Sequence, residues 1–362
     1  MLRYTSLFWL LILCGFVRAK EPAMMYPPPA EVRAAFIKQL DRPKVPLNAK
    51  IESTKGEGDF LVEQLTFASE KRADGQEERA DGQEERVPAL VVRPKTEGKR
   101  PCVIVLHGTG GNKEGQRDFM NELAKRGITA IAIDARYHGA RSGGANGADA
   151  YVAAITRAWR AKPGEPQEHP FYYDTCWDLW RTLDYLETRD DIDPQRIGMI
   201  GFSMGGIQTW LAAAADERVK AAVPAIAVQS FRWSLEHDEW QGRANTIKAA
   251  HNAAAADLGE KEVNQRVCRE LWSKVIPGIL DRFDCPSMLR LFADRDLLIV
   301  SGEKDPNCPL GGAKIAIAAA ETAFLEQGRS EHLKVMVAPG VGHAVTPEQR
   351  TAALEWFEKV LK

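Results

Sequence analysis

The sequence has no Cys-x-x-Cys pair, no excess of basic residues and no apolar run long enough to cross a bilayer. Each absence narrows what the chain can be. With 48 Lys and Arg against 50 Asp and Glu, nothing electrostatic favours a nucleic acid as partner. No metal site is legible in the six cysteines and their spacing. Cys14 lies in the first residues, leaving the odd set Cys102, Cys176, Cys268, Cys285 and Cys308, which cannot all pair within one chain. Cys268–Cys285 and Cys285–Cys308 are pairs that export would permit, but most of these thiols are expected to be small buried apolar groups. A phosphate-binding loop needs Lys-Ser/Thr after its glycines, and "GTGGNKEG" lacks it. The same stretch carries only part of the G-x-G-x-x-G of a dinucleotide fold.

What is present starts with a leader. "MLRYTSLFWLLILCGFVRAK" combines a basic start at Arg3, an apolar stretch from Leu7 to Val17 and a Val17-x-Ala19 ending. Residues 1–19 therefore read as a signal peptide cleaved after Ala19, and the protein is expected to be secreted or periplasmic, with no stable membrane insertion after cleavage. Loss of Arg3 and Arg18 with the leader takes the formal charge from -2 to -4. Residues 20–58 read as an N-terminal extension, an exposed segment with one short helix around Glu31–Leu40. In "RADGQEERADGQEER", Arg72–Glu78 is repeated as Arg79–Glu85, a polar tandem of the kind tolerated at a loop tip.

The 362 residues, 44% hydrophobic, suit one large domain able to bury a sizeable core. "DFLVEQLTFAS" and "VPALVVRP" read as strands. From Pro101 onward, apolar runs such as "CVIVLHG", "ITAIAIDA", "RIGMIGF" and "DLLIVSG" alternate with helical patterns. Continuous apolar runs are strands covered on both faces. The expected fold class is therefore α/β: a mostly parallel central sheet flanked by helices over residues 59–362. "PEQRTAALEWFEKVL" reads as the last helix, capped by Thr346 with Pro347 following. One segment breaks the alternation. Residues 229–290 form a Trp-rich helical insertion, in which Trp233, Trp240 and Trp272 either pack the insertion together or cap a cleft.

"IGMIGFSMGGIQTW" carries the chemistry. Glycine weakens a buried strand, so Gly201, Gly205 and Gly206 around Ser203 need a reason. G-x-S-x-G between a strand and a helix is the nucleophile elbow, a tight turn that lifts Oγ above the sheet edge. A serine hydroxyl needs a base to take its proton, and that base needs a carboxylate to orient it. In this architecture the order is serine, acid, histidine. His343 follows the last strand in "APGVGHAVTPE" and is the expected base; His332 reads as a surface residue. Asp305, just past the strand in "LLIVSGEKDPNCP", is the expected acid, ahead of Glu303 and the remoter Asp296. Two backbone donors must hold the oxyanion. The N–H of Met204 is one, and "LHGTGGNK" supplies the other, Thr109 with Gly110 as runner-up. His107 and His138 are expected to brace loops, with a substrate contact by His138 or Arg141 left open. Haloalkane and epoxide chemistry in this architecture places an aspartate where Ser203 stands.

On "VIVLHGTGG", "LDYLETRDDIDPQRIGMIGFSMGG", "LLIVSGEKDPNCP" and "APGVGHAVT", the chain resembles the α/β-hydrolase superfamily, in its dienelactone hydrolase-like and prolyl oligopeptidase-like branch. The resemblance covers roughly Asp59 to Lys362. It implies an esterase-type Ser203–Asp305–His343 triad and no cofactor. Two departures limit it. Dienelactone hydrolases proper use cysteine as nucleophile, so lactone specificity does not carry over, and no propeller domain is expected ahead of the hydrolase. The expectation is an exported serine hydrolase acting on a small-molecule or carbohydrate ester, with an acetyl or other acyl group on a sugar as one substrate class. A peptidase or amidase is the nearest alternative, and a non-catalytic binding protein on a hydrolase scaffold is the other.

Overall fold

A computed structural model describes residues 26–71 and 84–362. The expected signal peptide, and all of the tandem before Glu84, lie outside the described residues.

The described strands are β1 (Lys50–Glu57), β2 (Phe60–Lys71), β3 (Glu84–Pro94), β4 (Arg100–Leu106), β5 (Thr129–Ile133), β6 (Ile192–Phe202), β7 (Val219–Ala225), β8 (Asp296–Gly302) and β9 (Leu333–Ala338). They form one sheet in the order β1-β2-β3-β5-β4-β6-β7-β8-β9. The first three run antiparallel to one another, and β3 is antiparallel to β5. From β5 to β9 every pairing is parallel. Parallel strands require crossovers, and the helices between them supply these. Alternation along β4 explains its unbroken apolar character. Cys102, Ile104 and Leu106 enter one core, while Val103 and Val105 enter the other.

Helices Arg117–Lys125 and Pro347–Leu361 cover one face of the sheet; Tyr173–Glu187, Met204–Ala215 and Leu310–Glu326 cover the other. Thr346 caps the last helix as expected, and Gln349 answers with its own side chain in a reciprocal capping box.

The N-terminal extension differs from the sequence expectation. The expected short helix is present as Pro29–Leu40, but it is not exposed: it buries Val32, Phe36 and Leu40. Phe36 meets Tyr173, Trp180 and Phe283 edge-on, with ring centroids 5.1–6.1 Å apart. Its three buried residues recur every fourth position, which is the stripe a helix needs to dock. β1 escaped notice for the opposite reason, since its side chains are nearly all exposed and carry no apolar alternation.

Residues 229–290 hold the helices Phe231–Glu236, Gln241–Asn245, Lys248–Asp257, Gln265–Val275 and Cys285–Leu289, between β7 and β8. Trp272 is fully buried and donates to His251 Nε2 at 3.0 Å. Phe231, Leu271 and Val275 belong to the same apolar cluster as Ile104, so this segment shares the core of the sheet domain. Cys102, Cys176, Cys268, Cys285 and Cys308 are all buried and unpaired. No helix among the described residues is long and apolar enough to cross a membrane.

Candidate active site

β6 ends at Phe202 and the next helix begins at Met204, so Ser203 alone makes the turn. Its φ of 55° and ψ of −112° lie where a residue with a side chain is strained. Two backbone bonds hold it there. Ser203 N–H donates to Ala225 O at 3.0 Å, and Ile207 N–H donates to Ser203 O at 3.0 Å. The glycines around it are places where backbones touch. A methyl group on Gly201 would sit 2.1 Å from the Gly205 carbonyl, and one on Gly205 would sit 2.7 Å from His107 O. The elbow therefore closes only if these positions have no side chain.

The structure brings Ser203, His343 and Asp305 together. His343 Nε2 lies 2.7 Å from Ser203 Oγ, and His343 Nδ1 lies 2.7 Å from Asp305 Oδ2. A carboxylate can only accept, so Nδ1 carries the proton and Nε2 faces the hydroxyl as an acceptor. Asp305 is buried, and its other oxygen accepts from the N–H groups of Asn307 at 2.8 Å and Cys308 at 3.1 Å. Ser203 and His343 are partly exposed. The rival acids are engaged elsewhere. Glu303 accepts from Gly340 N–H at 2.7 Å, and Asp296 pairs with His332 at 2.9 Å. Glu303 thus ties the strand end to the loop carrying His343, as does the bond from Lys304 N–H to Val341 O at 2.8 Å.

Of the two expected oxyanion donors, Met204 directly follows the serine and Thr109 lies in the loop after β4. Met204 is the first residue of its helix, where a backbone N–H has no intrahelical acceptor. The loop with Thr109 follows β4, and a methyl on Gly108 would sit 3.6 Å from Ser203 Cβ. Among the described residues, neither Met204 N–H nor Thr109 N–H has a backbone acceptor. His107 braces this loop. Its Nδ1 donates to Gly108 O at 2.8 Å, and its Nε2 accepts from Ala135 N–H at 3.2 Å. Burial lowers its pKa and keeps it neutral for that double role.

His138 and Arg141 are committed inside the fold. His138 is fully buried with Nδ1 2.9 Å from Arg136 O, and its pKa falls to about 4, first through burial and then through the neighbouring His107. Arg141 grips Glu85 at 2.6 Å and Asp178 at 2.8 Å, and Arg136 grips the same Asp178 at 2.8 Å. Burial alone would raise the Asp178 pKa, but the two guanidinium groups hold it well below the usual carboxylate range.

Asp305, His343 and Cys308 place their potential ligand atoms within 4.8 Å of one another. The set suits proton sharing better than a cation. A proton already joins His343 to Asp305, burial pushes the Cys308 thiol up to about 12, and the Arg243 guanidinium lies 3.2 Å from its sulfur. A cavity of about 620 Å³ opens within the insertion beside Trp240, Lys248 and Asn252, and none of Ser203, Asp305 and His343 lines it. Sequence reasoning did not single out Gly242 or Arg243, which reach the Asp305 turn from that insertion. No short motif marks them.

Comparison with known proteins gives a consistent picture. The dienelactone hydrolase family model matches residues 87–283. YtaP of Bacillus subtilis, named as a hydrolase, is 26% identical over 288 residues, covering 76% of this chain and 83% of its own. Acetyl xylan esterase 1 from Thermoanaerobacterium superposes with a TM-score of 0.66 at 19% identity, over 93% of this chain and 96% of that one. A glucuronoyl esterase from Solibacter usitatus gives 0.59 at 16% identity, over 92% and 91%. At such identities the two structures speak for the fold.

Proposed function

We propose that this chain, which belongs to the dienelactone hydrolase family, is an exported serine hydrolase that cleaves carboxylic esters of carbohydrates through an acyl-enzyme. The observation that carries this reading is the hydrogen-bonded line from Asp305 through His343 to Ser203, with both links at 2.7 Å. Ser203 Oγ attacks the ester carbonyl while its proton passes to His343 Nε2. Asp305 holds the imidazole in the required tautomer and stabilises the imidazolium. Met204 and Thr109 N–H groups receive the oxyanion, each donor contributing on the order of a hundred- to a thousandfold in rate. Collapse breaks the bond to the alcohol, which leaves with the proton from His343. Water then repeats the sequence on the acyl-serine and releases the acid.

A carbohydrate ester as substrate is supported by the kinds of esterase that share the fold, acetyl xylan and glucuronoyl esterases among them. Export is supported by residues 1–19, and an N-terminal sequence of the exported protein beginning at Lys20 is its test. For the activity, p-nitrophenyl acetate is assayed beside an aminoacyl-p-nitroanilide and acetylated xylo-oligosaccharides. The expected order puts acetate release from the sugar and the nitrophenyl ester far above anilide cleavage. Faster cleavage of the anilide would overturn the ester reading. Hydrolysis of the nitrophenyl ester without release from any sugar ester would overturn the carbohydrate assignment.

A further inference from the structure

Arg243 is an unusual charge among the described residues. It is 1% exposed, yet its donors go to neutral groups rather than to a carboxylate. Nη2 donates to Asn307 O at 3.0 Å and reaches Cys308 Sγ at 3.2 Å. With the Gln229 amide turned so that both its atoms are satisfied, Nε donates to Gln229 at 3.0 Å while Gln229 donates to the same Asn307 carbonyl at 2.8 Å. The Tyr172 hydroxyl completes the set, and the guanidinium lies 5.8 Å from the centre of the Phe231 ring. Burying a cation without an ion pair is costly, so the position needs a return beyond packing.

The partner that gains is the turn carrying Asp305. Asn307 is held twice, its carbonyl by Arg243 and its N–H by Asp305 Oδ1 at 2.8 Å. That leaves Asp305 Oδ2 aimed at His343. Gly242 presses the same turn from beside Arg243, since a methyl there would sit 1.9 Å from Pro306 O. Cys308 is pinned on its other side, its sulfur 3.3 Å from Ile226 O. A hydrogen-bonded line therefore runs from the insertion through Asn307, Asp305 and His343 to Ser203.

We propose that Arg243, with Gly242 beside it, is a positioning residue through which the insertion holds the Asp305–Cys308 turn where Asp305 can orient His343. This rests on the reading of Asp305 as the orienting acid. It gives residues 229–290 a task besides filling the core. The planar fork of arginine suits that task, because it reaches several acceptors at once from one rigid group.

The test compares full-length wild type with Arg243→Met, Arg243→Lys, Gly242→Ala and Trp272→Phe. Trp272→Phe removes the bond to His251 and loosens the insertion without touching the acid turn. Two readouts are taken well below each Tm: kcat and KM on p-nitrophenyl acetate, and the far-downfield proton NMR signal of His343 Nδ1–H, identified by its absence in His343→Ala. In Arg243→Met, kcat should fall at least about tenfold with KM within about twofold, and the signal should shift or broaden. Arg243→Lys should recover part of both, and Gly242→Ala should resemble Arg243→Met. Trp272→Phe should lower Tm while keeping kcat and signal. If Arg243→Met does not fold, the lysine and alanine variants carry the same readouts. The proposal is overturned if the Arg243 variants keep both kcat and signal, or if Trp272→Phe loses them equally. A signal that depends on Arg243 in a protein with no esterase activity would sink the proposed function and leave the positioning role standing.

Discussion

The turns carrying Ser203 and Asp305 both follow parallel strands of one sheet, but they are held from different distances. Around Ser203 the constraints are local. Gly201, Gly205 and the first turn of the helix close on one another, with Ala225 of one adjacent strand and His107 at the end of the other as the outside contacts. The Asp305 turn is held from afar, by Gly242 and Arg243 of the insertion on one side and by the loop after β9 on the other. A turn built from its own neighbours leaves a motif in the sequence. A turn held by remote partners leaves only an aspartate before a proline.

Breaking the elbow side gives the largest effect. Ser203→Ala should reduce ester hydrolysis by at least about ten-thousandfold with little change in Tm, measured as kcat/KM on p-nitrophenyl acetate. On the acid side, Asp305→Asn should cost roughly a thousand- to ten-thousandfold, because the amide cannot hold the imidazole in the needed tautomer. A loss below about tenfold would mean that the acid turn matters less than the elbow. Gly201→Ala should act on stability, by on the order of 3 kcal/mol in denaturant unfolding, since its methyl would meet the Gly205 carbonyl at 2.1 Å.

A change of pH probes the insertion and the loop beside the oxyanion donors together. His251 and His138 both have pKa values lowered to about 4 by burial. Each is bound neutral in the fold, so its contribution is complete above an unfolded value of about 6.5 and is lost as pH falls toward 4. Asp284 works in the opposite sense, because burial raises its pKa to about 6. Its contribution to stability grows as pH falls from above 6 toward the ordinary carboxylate value. Between pH 7.5 and pH 5 the two histidines outweigh the one aspartate, and these three groups should cost about 2–3 kcal/mol net. Unchanged or higher stability at pH 5 would contradict the neutral state of both imidazoles. The smallest effect is expected at Glu303→Ala, which removes the acceptor for Gly340 N–H and should lower kcat less than about fivefold.

Much of this molecule is legible in its sequence, for identifiable reasons. The doubly covered strands read as apolar runs, and the elbow as G-x-S-x-G between a strand and a helix. His343 and Asp305 follow from chain order, and the structure brings both side chains to Ser203. The last helix announces itself through Thr346 and Pro347. What did not show has physical causes too. β1 is exposed along nearly its whole length, so it has no apolar alternation to detect. The Pro29–Leu40 helix docks on three apolar residues set among prolines and charges, which read as an exposed segment. Arg243 looks like any helical surface arginine until the fold buries it against Asn307 and Cys308.

The chain is a carboxylic ester hydrolase of the dienelactone hydrolase family, and its chemistry turns on the hydroxyl of Ser203. Reaction with a fluorophosphonate probe, followed by peptide mass mapping, tests that most directly. A single adduct is expected on the peptide containing Ser203, formed far more slowly in His343→Ala and absent from Ser203→Ala. An unlabelled wild type, or an adduct on any other residue, would contradict it.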